Sequence, residues 1–239
     1  MPREGSHDRA IVILDLYRLN PVTCACLLAR SGAITYGRSG STLLMGLLNS
    51  IPGYLVRGEN WDALHHLFTF HRTLAEGSRK WDASRLRRPT HPFFGAADFP
   101  EQRSYARTRD LVVDTVLRPE ADTRVTGFKE IRWYRDDVEE YVAWLREVFP
   151  GARFVVNTRD HDEVRRSGWW AKHPENAESL PRVEARILAL ADALGDAAYR
   201  VHYNDYVADP SVLRGLYDWL GEPFDETAVR AVLARRHSV

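Results

Sequence analysis

The sequence predicts a single α/β domain, a parallel β-sheet flanked by helices on both faces. Three observations carry that expectation. Short β-prone runs alternate with segments of helical spacing along most of the chain, the order a helix-covered parallel sheet requires. A length of 239 residues suits one large domain better than two compact ones. The Gly, Ser and Thr residues most suggestive of a ligand gather at a strand-to-helix turn, where sheets of this kind bind their ligands.

The first element is Ala33–Tyr36, a β-prone run that leads through Gly37-Arg38-Ser39-Gly40-Ser41-Thr42 into the apolar helical run Leu43–Leu48. Tyr54–Arg57 follows as a short strand. Asn60 then reads as the N-cap of a helix from Trp61 to about Leu74, with Leu64, Leu67, Phe68 and either Phe70 or His71 facing the core. Residues 77–100 hold three prolines and several aromatics without clear periodicity and read as a long loop. A helix spans Glu101–Arg118, a strand Arg124–Lys129 and a helix about Asp136–Val148. Arg153–Asn157 is the clearest buried strand, followed by a helix through Trp170. A helix over Glu184–Leu194, a last strand at Tyr199–Tyr203 and two helices near Val212–Leu220 and Thr227–Arg235 complete the chain. Residues 1–30 fit none of this and are set aside as an N-terminal extension or extra helix, with the domain taken as 31–239.

Composition narrows the function. Hydrophobic content of 44% and charged content of 28% are ordinary for a soluble globular protein. A formal net charge of zero argues against a nucleic-acid binder working through a basic surface. Of 33 basic residues only Lys80, Lys129 and Lys172 are lysines, a bias that by association suggests a bacterial source. Cys24 and Cys26 are too close for a good disulfide and lack partner ligands for zinc. The apolar run Val22–Ala29 is too short to span a bilayer, so the expectation is a cytoplasmic protein with no membrane partner.

The turn at residues 37–42 combines helix-start amides with a fixed cation, Arg38, and the hydroxyls of Ser41 and Thr42. Such a helix start favours an anion, and the turn reads as a phosphate cradle. The bare alternative is a βα turn whose Ser and Thr cap the helix. Gly32 to Ser39 nearly spells the Walker A pattern, with Arg38 in the lysine's place. That match puts its first Gly before the strand, and it lacks the lysine that reaches the β/γ-phosphates.

A second segment refines the anion. Thr35–Leu43 resembles the 5′-phosphosulfate loop of sulfotransferases that use 3′-phosphoadenosine 5′-phosphosulfate (PAPS). Phe154–Asp160, with Ser167 eight residues past Arg159, resembles that family's 3′-phosphate site. Tyr203-Asn204-Asp205-Tyr206, Asp209-Pro210 and Leu220-Gly221-Glu222-Pro223 resemble its closing punctuation, so the likeness spans roughly residues 31–235. His161 stands where the family usually has Pro. No Gly-x-x-Gly-x-x-Lys segment occurs near the C-terminus, which turns the likeness toward the bacterial, carbohydrate and tyrosylprotein branches.

The resemblance implies a P-loop, nucleotide-kinase-like fold and PAPS as donor, with 3′,5′-adenosine bisphosphate (PAP) as product and no metal required. Gly37, Arg38, Ser39, Gly40, Ser41, Thr42, Arg159 and Ser167 would bind the donor. Glu59 would be the general base on the acceptor hydroxyl, with Lys129 and Arg38 on the transferring group. Arg132, Trp133 and His91 are candidates for acceptor contact, and His91 is the rival base. Trp169 and Trp170 would flank the adenine or the acceptor. His65, His66 and His71 suggest metal spacing on a helix, yet without a fixed third ligand no metal is expected. Small-molecule, sugar or peptide acceptors all stay open, as does a homodimer. Two other classes stand beside this one: a kinase or NTPase with a degenerate Walker A loop, and a nucleotide-binding module without chemistry.

Overall fold

A computed structural model describes residues 31–33 and 36–235. The extension at residues 1–30, with Cys24 and Cys26, lies outside the described residues, as do Ile34, Thr35 and the Trp169 side chain.

Strand β1 (Ser31–Ala33) opens the domain, and α1 (Ser41–Asn49) follows the Gly/Ser turn. Tyr36, expected as the last residue of that strand, lies outside it and leads into the turn. Leu43, Leu44, Leu47 and Leu48 of α1 are all buried. At about 1.5–3 kcal/mol each, their burial far exceeds the roughly 1 kcal/mol of a good N-cap. Helix α1 can thus begin at Gly40 with no side-chain cap and no acidic residue in its first turn. Strand β2 (Tyr54–Arg57) comes next and, among the described strands, stands at the edge of its ladder. Asn49 covers that edge: its Nδ2 donates to the Val56 carbonyl at 3.0 Å, and its Oδ1 accepts from the Val56 N–H at 2.6 Å.

Helix α2 (Ala63–Arg79) starts two residues later than the sequence suggested. Trp61 and Asp62 both have left-handed backbones, with φ of 58° and 68°, and Asn60 reaches Leu64 N only at 3.4 Å. His71 faces the core at 3% exposure, whereas Phe70 points outward at 61%. The stretch expected as one long loop is partly ordered into α3 (Ala83–Leu86) and a 3₁₀ turn at Ala96–Asp98. Helix α4 (Glu101–Val112) closes with a π turn at Val113–Leu117. The Arg57 guanidinium donates to the Leu117 and Arg118 carbonyls, both at 2.9 Å, satisfying groups the ending helix leaves open.

Strand β3 (Val125–Lys129) is buried at every position, so both of its faces are covered. Helix α5 (Val138–Val148) leads to β4 (Phe154–Thr158), buried from Phe154 to Asn157. The helix expected through Trp170 is two pieces, α6 (His161–Arg165) and α7 (Gly168–Lys172), broken at Arg166 and Ser167, with Gly168 opening the second piece at a φ of 55°. The short α8 (Pro174–Ala177) and the long α9 (Leu180–Leu194) precede β5 (Ala198–His202). Helices α10 (Tyr203–Ala208), α11 (Arg214–Leu220) and α12 (Glu226–Leu233) finish the chain.

All pairings among the described strands are parallel. One ladder runs β1-β3-β2, with Ala33 opposite Lys129 and Arg57 opposite Phe128. The other joins β4 and β5, with Thr158 opposite His202. Strand β1 lies beside β4, so the turn after β1 stands where the two ladders meet. That seam is the place an open parallel sheet offers a ligand.

Candidate functional site

The turn after β1 is shaped by the end of β4 and the segment beyond it. Trp170 Nε1 donates to the Gly37 carbonyl at 2.8 Å, Arg159 Nη1 to the Arg38 carbonyl at 3.2 Å, and Asn157 Nδ2 to the Ser39 carbonyl at 2.8 Å. Three consecutive carbonyls are thus drawn to one side. The amide of Ser39 in the same turn donates to the Tyr36 carbonyl at 3.3 Å, closing the curve. Beyond it stand the first amides of α1, which have no partner inside the helix. Left-handed backbone at Arg38 (φ 70°) and Gly40 (φ 90°) makes the curve. A side chain at Gly40 would sit 2.0 Å from the Tyr203 ring, so only glycine fits.

Arg38, Arg159 and Ser167 come together. Arg38 Nε donates to Ser167 Oγ at 2.9 Å, and the Arg38 side chain lies along Gly168. Ser167 is in extended conformation at the break between α6 and α7, a correction to its expected place inside one helix running through Trp170. The Arg159 guanidinium is held on both sides. Its Nε and Nη2 donate to Glu163 Oε2 at 2.9 and 2.7 Å, and its Cζ lies 4.2 Å above the Tyr203 ring. Ser39 is fully buried and Ser41 nearly so, which limits what their hydroxyls offer a ligand and puts the weight on backbone amides.

Glu59 and Lys129 form an ion pair across the carboxyl ends of β2 and β3. Lys129 is 6% exposed, while about a third of the Glu59 side chain is open. Lys129 is therefore no surface lysine, and its partner is not the neighbouring Glu130. Glu130 is itself buried, accepting from Ile131 N and from Arg132 Nη1, both at 2.8 Å. Arg132 also approaches Glu59 at 3.9 Å. Ile131 lies against Gly37, which sets the Lys129–Arg132 segment beside the turn.

Two acceptor candidates stand elsewhere. Trp133 is 1% exposed, donates to the Glu130 carbonyl at 2.7 Å and stacks on Tyr141, so it is core and not a cleft wall. His91 packs between Trp81 and Phe93, beyond the far end of α2 from Glu59. That helix of seventeen residues is about 25 Å long. The helical histidines also part company: His65 pairs with Asp137, and His71 with Ser104 and Glu101. Burial holds the His71 pKa below the ordinary imidazole value. Among the described residues no group of His, Cys, Asp and Glu is arranged to hold a metal ion, and no helix is long and apolar enough to cross a membrane.

Sequence reasoning passed over several residues of this site. Asn157 could have been noticed as the one amide closing an otherwise apolar strand. Trp61 is 86% exposed two residues past Glu59, and the Arg135–Asp62 ion pair secures the turn that presents it. Tyr36 is 2% exposed, with its hydroxyl against Arg159 and Glu184. Nothing local in the sequence marks these contacts.

A family model described as the sulfotransferase family matches residues 34–226. A sequence comparison with curated proteins finds no match. Among solved structures, the sulfotransferase domain of the Synechococcus PCC 7002 olefin synthase is 23% identical. That alignment covers 86% of this chain and 77% of the other, with a TM-score of 0.49. The sulfotransferase domain from the curacin biosynthetic pathway is 16% identical, covering 82% and 75% with a TM-score of 0.48. Sulfotransferase STF9 from Mycobacterium avium is 15% identical, covering 84% and 66% with a TM-score of 0.45. The family model takes in the turn, the Glu59–Lys129 pair and the Arg159–Ser167 segment alike, and the chain belongs to the sulfotransferase family.

Proposed function

We propose that the protein transfers a sulfuryl group from PAPS to an acceptor hydroxyl, with Glu59 as general base. The observation that carries this reading is the junction of Arg38 with Arg159 and Ser167, from segments about 120 residues apart in sequence. A donor with one phosphate at the 5′ end and a second on the 3′ oxygen needs two adjoining anion sites. The uncapped start of α1 with Arg38 suits the first; Arg159 and Ser167 suit the second.

When bound, the donor supplies a sulfonate whose bridging S–O bond breaks, with the electron pair leaving on the 5′-phosphate. Arg38 and the α1 amides hold the charge that gathers there, without needing to reorganise. Glu59 takes the proton of the acceptor hydroxyl as that oxygen bonds to sulfur. Lys129 keeps the carboxylate aimed and, on the sheet's carboxyl edge beside the turn, offers a cation to the equatorial sulfonate oxygens. Arg132, half-buried and tied to Glu130, stays the candidate for acceptor contact. The acceptor is a small molecule, a sugar or a peptide, admitted on the side of Glu59 that faces solvent.

Thermal unfolding with PAP, compared with ATP and magnesium, tests the donor. A ligand at a hundred times its Kd stabilises by about 2.7 kcal/mol, or roughly 5–10 °C for a chain of this size. PAP is expected to give that shift. A shift with ATP and magnesium, and none with PAP, removes the proposal.

A further inference from the structure

The Tyr36 hydroxyl stands at a crossing between the turn after β1, the start of the segment after β4, and α9. It accepts from the Arg159 N–H at 3.0 Å and lies 2.6 Å from Glu184 Oε2 and 2.9 Å from the Arg159 carbonyl. One hydroxyl proton cannot serve both acceptors at once, and the carboxylate is the stronger of the two. Tyr36 therefore donates to Glu184 and receives from Arg159. His161 Nε2 lies 3.2 Å from the same Glu184 oxygen without a hydrogen bond between them, so the Tyr36 hydroxyl is the group through which Glu184 reaches the backbone of Arg159. The ring of Tyr36 is 2% exposed, and its burial, with the Glu184 hydrogen bond, pushes the hydroxyl's pKa upward and keeps its proton in place.

The consequence is geometric. Tyr36 immediately precedes the turn that carries Arg38, and Arg159 carries the guanidinium assigned above to the second phosphate. A hydrogen bond joining Tyr36 to the backbone of Arg159 fixes how far apart the two anion sites stand. Glu184 holds that hydroxyl in the orientation that leaves its lone pair on the Arg159 N–H. Neither Tyr36 nor Glu184 is in place to touch the reacting atoms.

We infer that Tyr36 and Glu184 are positioning residues that set the span between the two phosphate sites, and with it the preference for a nucleotide bearing both a 5′ and a 3′ phosphate. This rests on PAPS being the donor. The test compares PAP with adenosine 5′-monophosphate, which lacks the 3′ phosphate, by calorimetric titration of the full chain. Tyr36→Phe keeps the buried ring and removes only the hydroxyl. It is expected to weaken PAP about tenfold while changing the monophosphate less than twofold. Glu184→Ala should weaken PAP by roughly threefold and add little on top of Tyr36→Phe, because both act through one hydrogen-bonded unit. Glu184→Gln, whose amide oxygen still accepts from Tyr36, should restore the wild-type ratio. A residue that only supported folding would lower the melting temperature and affect both ligands alike. Wild-type protein that binds the two nucleotides equally removes the donor reading and this inference with it. Wild-type discrimination that persists unchanged in Tyr36→Phe and Glu184→Ala removes this inference alone.

Discussion

Replacing Glu59 with Gln separates its chemical role from its structural one, because its partner is so much more buried than it is. Lys129 is 6% exposed, and the side chains of the pair are 8% and 32% exposed respectively. Breaking a fully buried pair by removing one member costs about 3–5 kcal/mol, since the other charge is left without compensation. Glu59 is open to water along about a third of its side chain, and Arg132 lies 3.9 Å away, so screening reduces the figure to about 2 kcal/mol. For a chain of this size that is a fall of roughly 4–8 °C in melting temperature. Lys129→Met should cost less than about 1 kcal/mol, because the carboxylate left behind keeps its water and the apolar stem is retained. The double variant Glu59→Gln/Lys129→Met should recover most of the stability. Sulfuryl transfer should stay lost in all three, because the base or its orienting cation is missing. Urea unfolding and turnover on one batch of each variant give both quantities. Turnover returning with stability in the double variant would make the pair a structural clamp and refute the assignment of Glu59 as base. A larger stability loss in Lys129→Met than in Glu59→Gln would refute the electrostatic reasoning.

Two more outcomes come from the backbone. Gly40→Ala places a methyl group 2.0 Å from the Tyr203 ring at a φ of 90°, which costs about 1–2 kcal/mol before the ring moves. Because Tyr203 also supports Arg159, titration should show PAP binding weakened more than tenfold, and wild-type affinity would contradict the cradle. Trp61→Gly removes a left-handed penalty from a residue 86% exposed, with little packing to lose. Urea unfolding should show a gain of about 0.5–1 kcal/mol, and acceptor turnover should fall if the strained turn exists to present that ring.

How much could be read beforehand depends on the range of the forces involved. The runs before Arg57, Lys129 and Asn157 announced their strands because apolar, β-prone residues carry a local signal. The leucine stripe of α1 and the Gly-Arg-Ser-Gly turn before it were legible for the same reason. Other features depend on residues far away in sequence. Trp133 looked like a cleft residue until Tyr141 and Glu130 closed around it. Glu59 and Lys129 were each singled out, but no spacing rule pairs residues 59 and 129. The early end expected for α2 failed because Phe70 and Leu74 face solvent while the helix continues to Arg79, and its late start reflects a turn with two left-handed residues. The break just before Gly168 carries little local signal, because a single Gly within helical spacing is often tolerated.

The ladder that holds β1 has a consequence for the order in which the molecule comes together. Strands β4 and β5 pair around α9 within one contiguous stretch of chain, whereas β1 finds β3 roughly a hundred residues away. The turn that follows β1 is then fastened by Asn157, Arg159 and Trp170 from the other ladder and the helices after it. A chain caught part-way through folding can own both ladders and still lack the cradle. In partial unfolding the order is expected to reverse, with the amide protons of the turn after β1 exchanging before those of either ladder.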